Sequence, residues 1–437
     1  MLVMREATRR LTCRLVFILG CVLPTLIIVS VLLLLRTPWY LARERQSWNE
    51  ALSQRLGVQV TVDSVSRPEG GLVRLSNLVL ADPETGEPHL TARTVDVARQ
   101  GVGWIVYVPS AEAKADSVAR LWECLEQSLL ERAGAVTDRG CQLLIESLNI
   151  ISSDRGQTLQ DVQATCERRV GGPRLVIDFR LAGWTMNSPA RLVALRNRQT
   201  DPPTTAWDFD TGSQPLPTSL LSLLVPRFAD LGDQALVEGQ LTLTSNQQAW
   251  DGRGQAMFSQ VDLDQLFSGR FPHKFTGLAQ IELSRLEWSQ GRLTQVAGLV
   301  RADGGVVSQS LLFAAATPDG LNAKLPERVL ESNQPLWRYR ELALQFDLSD
   351  QGLRLAGICS DAPAGTLLLD QRGPLAYESA EELVAVASVI RTLAPQNEIQ
   401  VPASLQTERL LQWLPLPSLV PAPAEVARPR YSPLRLK

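Results

Sequence analysis

The chain has 437 residues, with 43 basic and 46 acidic side chains, 45% hydrophobic residues and a formal charge of −3. Balanced charge and a mean hydropathy of −0.02 exclude a disordered polyelectrolyte and a protein of many membrane spans. Six cysteines are too sparse for a small disulfide-stapled scaffold, and two histidines, His89 and His273, are too few for a His-rich metal centre.

Residues 15–35 run for 21 positions without a charge. About 20 apolar residues cross a hydrocarbon core as one helix, so the run reads as a transmembrane helix. Pro24 removes one backbone hydrogen bond within it. Arg5, Arg9, Arg10 and Arg14 precede the run; Arg36, Trp39 and Tyr40 follow it. The arginine bias places residues 1–14 in the cytoplasm, and the aromatic pair suits the headgroup level. The expected arrangement is a single pass with the bulk of the chain on the far side of the membrane. Two rival readings are a cleaved signal peptide, whose apolar run is shorter and ends in small residues, and a lipoprotein signal ending at Cys21. Residues 37–425 carry a net charge of −11. That argues against nucleic acid as a partner, because neutralising phosphates takes a basic stripe.

Beyond the apolar run, Trp48, Leu52 and Leu56 fall four apart and Gly57 follows, which predicts a helix over 41–56. Val58, Val60 and Val62 then alternate with polar residues in the period of a strand. Strands are predicted near 72–80 and 90–98, about a turn at Asp82-Pro83-Glu84-Thr85-Gly86. A long helix is predicted over 113–133, where Val118, Leu121, Trp122, Leu125 and Leu129 keep helical spacing. Strands resume near 143–151, 159–164 and 174–181. Residues 201–217, rich in Pro and Thr, read as a linker or loop, and 218–228 as a short apolar helix.

The second half repeats the strand pattern. Val237, Leu241 and Leu243 alternate with polar residues; so do Ile281 and Leu283, and Leu342, Leu344 and Phe346. Ser379 and Glu382 have capping-box spacing, within a stretch of C-terminal helices over 376–414. The tail 415–437 is Pro-rich and is expected to be extended.

The expected fold class is mainly β, an antiparallel elongated curled sheet or sandwich with a few helices and one N-terminal transmembrane helix. Its β-rich regions are 36–200 and 218–375. Strict alternation gives every strand one wet face and one dry face. The dry faces must close on a second sheet or on helices, or remain an apolar groove able to hold acyl chains. The candidate lining is Val58, Val60, Val62, Val237, Leu241, Leu243, Ile281, Leu283, Leu342, Leu344 and Phe346.

Sequence signatures of chemistry are missing: no G-x-S-x-G, H-E-x-x-H or G-x-x-x-x-G-K-[ST] occurs. No enzyme activity, cofactor or metal is therefore expected. Asp262 and Asp264 read as a turn or helix cap rather than paired catalytic carboxylates. His89, at a strand start, reads as a surface residue, and His273 as a loop residue. Trp104 and Tyr107 read as core packing or as groove lining. Cys124, Cys141, Cys166 and Cys359 allow three pairings or four free thiols, and spacing does not choose among them.

Two stretches resemble a known family. Residues 51–97 (ALSQRLGVQVTVDSVSRPEGGLVRLSNLVLADPETGEPHLTARTVDV) resemble the amino-terminal region of AsmA/TamB-like envelope proteins. Residues 252–312, in which Gly277, Leu283, Trp288, Gly291 and Leu293 mark the pattern, are similar to the carboxy-terminal AsmA pattern and to the N subunit of type II secretion systems. The helix at 113–133 and the Pro-rich tail depart from that pattern. The resemblance implies an elongated β-rich periplasmic body on an inner-membrane anchor, working in envelope biogenesis by binding or transferring phospholipid. The alternative it implies is an assembly or scaffolding subunit of a secretion or outer-membrane complex, with envelope or secretion-complex proteins as partners.

Overall fold

The computed structural model describes residues 16–394 except 36, 69–70, 102, 132–139, 153–155, 185–187, 247–248 and 380–382. Arg9, Arg10, Arg14 and Arg36, Glu382 of the capping box and the tail 415–437 lie outside these described residues. The chain divides into two compact units, one of Met1–Ala229 with Leu236–Gln248, the other of Asp230–Ala235 with Ala249–Lys437. Each is built mainly of β-strands.

The first unit opens on the apolar run, and here the expectation of one continuous span needs correction. A π-helical turn, Ile18–Val22, is followed by an α-helix, Leu23–Leu35. Among the described residues no helix is long and apolar enough to cross a membrane. Pro24 is the physical reason: it has no N–H for the carbonyl four residues back, and its ring crowds that carbonyl. The turn before it widens, so that the Leu23 N–H reaches the Ile18 carbonyl. The Thr25 hydroxyl donates back to the Cys21 carbonyl at 2.6 Å. The side chains of 16–30 are all exposed. Trp39 is 68% exposed, with the Arg43 guanidinium over its ring, and Tyr40 is half-buried.

A helix at Pro38–Leu56 follows, with proline in its first turn and Gly57 closing it at φ 71°. Only glycine takes that left-handed conformation without strain. The Ser53 hydroxyl accepts from the Val60 N–H at 2.8 Å and so ties the helix to the first strand. Strands β1 (Gln59–Thr61) and β2 (Ser64–Ser66) both pair with β3 (Val73–Ala81). β4 (Pro88–Gln100) and β5 (Gly103–Lys114) continue antiparallel.

The next pairing is parallel: β6 (Cys141–Ile151) lies beside β5 from Trp104↔Cys141 to Lys114↔Ile151. A parallel neighbour needs a crossover. The helix Ala115–Glu126 and the π-turn Gln127–Glu131, falling in the stretch predicted as helical, belong to it. The sheet then runs antiparallel through β7 (Gln157–Arg169), β8 (Gly172–Leu181), β9 (Ala190–Asn197), β10 (Thr204–Asp210) and β12 (Leu236–Ser245), with short β11 (Leu216–Pro217) on the end of β12.

β10 corrects the linker reading of 201–217. Thr205, Trp207 and Phe209 alternate between prolines that sit outside the strand, and β10 pairs on both edges. The wet face of this sheet is laced by arginine–carboxylate pairs directly opposite one another. They are Arg74–Asp96 (2.7 Å), Arg191–Asp178 (2.6 Å) and Arg174–Glu167 (3.2 Å).

The second unit contains a larger and a smaller sheet. In the larger, β13 (Trp250–Asp262), β15 (Leu278–Ser289), β16 (Arg292–Ala302) and β20 (Glu341–Ser349) pair in turn. β20 then pairs with β21 (Gly352–Gly357) over one part and β22 (Thr366–Asp370) over another. β23 (Gly373–Ser379) and short β18 (Ala323–Lys324) complete it. The smaller sheet is β14 (Phe275–Thr276), β17 (Gly305–Ser308) and β19 (Leu336–Tyr339). The stretch 376–414, expected to be helical, begins inside β23. A helix follows at Val386–Leu393, and 395–414 lies outside the described residues.

Gly298 sits where β16 crosses a register shift of β15, and a Cβ there would overlap the Glu282 carbonyl oxygen. Gly298→Ala is therefore expected to destabilise the fold by about 1–3 kcal/mol in urea unfolding. An unchanged midpoint would show that the strands can part without cost.

Candidate functional site

Register places side chains of one face in lines that run across the strands. In the first unit one line is Trp104, Cys141, Cys166, Leu175, Ala194, Trp207 and Leu243. The π-turn lies over it. Leu130 is 0% exposed and packs with Cys166, Leu175, Ala194 and Trp207. Trp122 stacks tilted on Trp207 with centroids 5.5 Å apart. Polar ties hold the cover down: Arg198 donates to the Leu130 carbonyl at 3.0 Å, and Ser128 to the Leu56 carbonyl at 2.7 Å. The next line, Leu143, Ala164, Ile177, Leu192, Phe209 and Leu241, is half-buried.

In the second unit the line Val261, Ala279, Ala302, Leu342 and Leu368 is fully covered. Val307, Trp337 and Tyr339 of the small sheet close this core, with Leu312 and Val329. The next line, Phe258, Ile281, Val300 and Leu344, packs against that core. Beyond it come two more lines. One is Ala256, Leu283, Gly298, Phe346 and Leu355; the other is Gly254, Leu286, Val296, Leu348 and Leu353. Trp288 and Leu293 form a partial line after them. Leu283, Leu286, Trp288, Phe346, Leu348 and Leu355 are half-buried and outside the closed core. At ~4.8 Å per strand and ~3.4 Å per residue, this strip is roughly 19 Å wide and 14 Å long.

The predicted lining therefore separates into groups. Val58, Val60 and Val62 are 1–3% exposed, and Val237 and Leu342 are also buried. Leu243 packs under the cover, and Ile281 and Leu344 pack on the closed core. Leu241 stays on the half-buried line of the first unit. Only Leu283 and Phe346 of the predicted set fall on the strip. Sequence reading passed over Leu286 and Leu355. The register shift between Leu283 and Arg285 brings Leu286 onto the same face as Leu283 despite the odd spacing. Trp104 and Tyr107, three apart in one strand, point to opposite faces. Trp104 joins the covered line, and the Tyr107 hydroxyl donates to Glu146.

The surface reading of His89 is corrected, because its ring is only 5% exposed; His273 lies in a loop, as expected, with its ring equally buried. His89 lies 3.6 Å from the Asp82 carboxylate. The Glu84 and Thr85 N–H groups donate to Asp82, and Arg120 of the crossover helix reaches it at 2.8 Å. Those backbone donors first, and then Arg120, hold the Asp82 carboxyl below the usual range. The cluster joins the turn of β3 and β4 to the crossover helix. His273 lies between the Ser310 hydroxyl (2.9 Å) and the Thr392 carbonyl (3.0 Å). A carbonyl only accepts, so Nε2 carries the proton, while Nδ1 faces the Ser310 hydroxyl, which donates to Ser308 at 3.0 Å. Asp262 accepts from the Asp264 N–H at 2.8 Å and so caps a turn, while Asp264 pairs with Lys274. Among the described residues no group of three or more His, Cys, Asp or Glu is placed to hold a metal ion.

No protein-family model, curated protein or solved structure matches the chain.

Burial pushes the His273 pKa below its ordinary 6.5, with the Thr392 contact opposing. The folded state thus resists a proton that the unfolded chain accepts. Its contribution to stability is complete above pH ~6.5 and declines as pH falls below that value. The loss of urea midpoint between pH 7.5 and pH 5 is expected to be smaller in His273→Gln than in the parent. An equal loss in both would exclude His273 as its source.

Proposed function

We propose that this chain is a non-enzymatic, membrane-anchored protein of the bacterial cell envelope that holds phospholipid acyl chains on the half-buried strip of its second unit. The observation that carries the reading is the pair of apolar lines through Leu283, Phe346 and Leu286 that continues past the closed core. The strip offers aliphatic and aromatic contact without acid–base groups. Each methylene that leaves water for such a surface gains about 0.8 kcal/mol. The same strands contain the 252–312 stretch that resembles the AsmA pattern.

The anchor is the apolar helical segment through 16–35. The exposed side chains of residues 16–30 need a non-aqueous surrounding, and Trp39 and Tyr40 suit the interface beyond the segment. In this reading residues 1–14 are cytoplasmic and the β-rich units periplasmic.

Benzoylphenylalanine placed at Leu283, Leu286 or Phe346 of the full chain in cells is expected to give phospholipid adducts on irradiation. The same probe at Leu342 or Ala302, inside the closed core, is expected to give none. Absence of lipid adducts at all three strip positions overturns the reading, and stoichiometric capture of an envelope protein there would favour a scaffolding role instead. Carbonate extraction is expected to leave the full chain in the membrane fraction and to release a chain lacking residues 1–36. Full release of the intact chain would overturn the anchor.

A further inference from the structure

Five cysteines lie among the described residues, all as free thiols. Cys21 is on the exposed apolar segment, Cys124 on the crossover helix, and the Cys359 thiol faces the Glu341 and Ala343 carbonyls in the second unit. Cys141 and Cys166 differ from these, because they are direct partners across the antiparallel β6–β7 pair.

Direct antiparallel partners point to the same face, with Cα atoms ~4.5 or ~5.5 Å apart according to their place in the hydrogen-bond pattern. Both values fall within the ~4.4–6.8 Å that a disulfide accepts. Their Cβ atoms, at ~4.5–5.5 Å, start somewhat wider than a relaxed disulfide. Closing that gap stores strain, which keeps the bond reducible. The two thiols also feel each other: burial first, and then the charge of Cys141, push the Cys166 thiol up to about 11.

We propose that Cys141 and Cys166 form a reversible cross-strand disulfide by exchange with a small-molecule or protein disulfide. Cys141 is half-buried at the first position of β6, whereas Cys166 is 4% exposed beneath Leu130, so Cys141 reacts first. Its thiolate attacks one sulfur of the donor disulfide, the donor S–S bond breaks, and one donor thiol leaves. The Cys166 thiolate then attacks the Cys141 sulfur of the mixed disulfide and releases the second donor thiol. Two electrons pass to the donor, and the two protons lost by the cysteines end on its thiols. The new bond lies at the end of the β6–β7 pair opposite its turn. It fixes the strand that makes the parallel joint, and the floor on which the π-turn rests.

The test is exchange of the purified full chain with oxidised glutathione, followed by alkylation, trypsin and mass spectrometry without reduction. Cleavage at Arg139, Arg155 and Arg168 puts the two cysteines on separate peptides, 140–155 and 156–168. The expected product is these two peptides joined, lighter by two hydrogens and separated by dithiothreitol. It should form faster as pH rises, because the thiolates are the reacting species. Oxidation is also expected to raise the thermal midpoint of the parent and of Cys124→Ser, but not of Cys141→Ser. Complete alkylation of both cysteines after exchange, or a dominant link from either to Cys124, overturns the proposal. Peptide mapping of the parent chain decides this even if a variant does not fold.

Discussion

One constraint runs through this molecule: a half-wet strand leaves a dry face that must be covered. The wet side solves itself, because arginines and carboxylates meet directly across neighbouring strands, as Arg74 meets Asp96 and Arg191 meets Asp178. Such exposed pairs add little stability, but they fix register, since a one-residue slip would turn each charge into the core. The dry side needs material from elsewhere in the chain, and each unit finds it differently.

In the first unit the cover comes from the place where, among the described residues, the sheet turns parallel. A parallel neighbour demands a crossover, and here the crossover that joins β5 to β6 carries Trp122 and Leu130 over residues of β7 to β10. Its fastening is polar. Arg120 binds the Asp82 turn, Arg198 the Leu130 carbonyl and Ser128 the Leu56 carbonyl. Carbonyls at the end of a helical segment lack internal partners, so the Arg198 bond also satisfies a group that burial would otherwise strand. In the second unit a three-stranded sheet and short helices do the covering, and His273 ties helix Val386–Leu393 to them through the Thr392 carbonyl.

Neither cover reaches the whole face. Each unit grades from a line most of whose side chains are buried to lines with half-buried members, and this gradient separates a closed core from a partly open face. Line by line the side chains differ little in type: Leu342 and Phe346 lie on the same strand and the same face, yet one is core and the other strip. The Cys141–Cys166 pair stands where cover and sheet meet, so a bond between them would stiffen the covered end alone.

The sequence by itself determined the strands that alternate without interruption, the helix ended by Gly57, the crossover helix and the Asp82 turn. Each rests on local periodicity or on a residue with a restricted backbone. It misjudged β10, because the prolines around Thr204–Asp210 outweighed a short alternation. It treated the apolar run as one helix, because composition counts Pro24 as a single residue while geometry spends a whole turn on it. The partners of His273 and the facing cysteines escaped it, since they lie tens of residues apart, and the burial of His89 depends on packing that local pattern does not record. Tertiary structure alone decided which dry residues are core and which remain open. Alternation encodes only the side a residue faces, whereas cover depends on where distant segments of the chain come to rest.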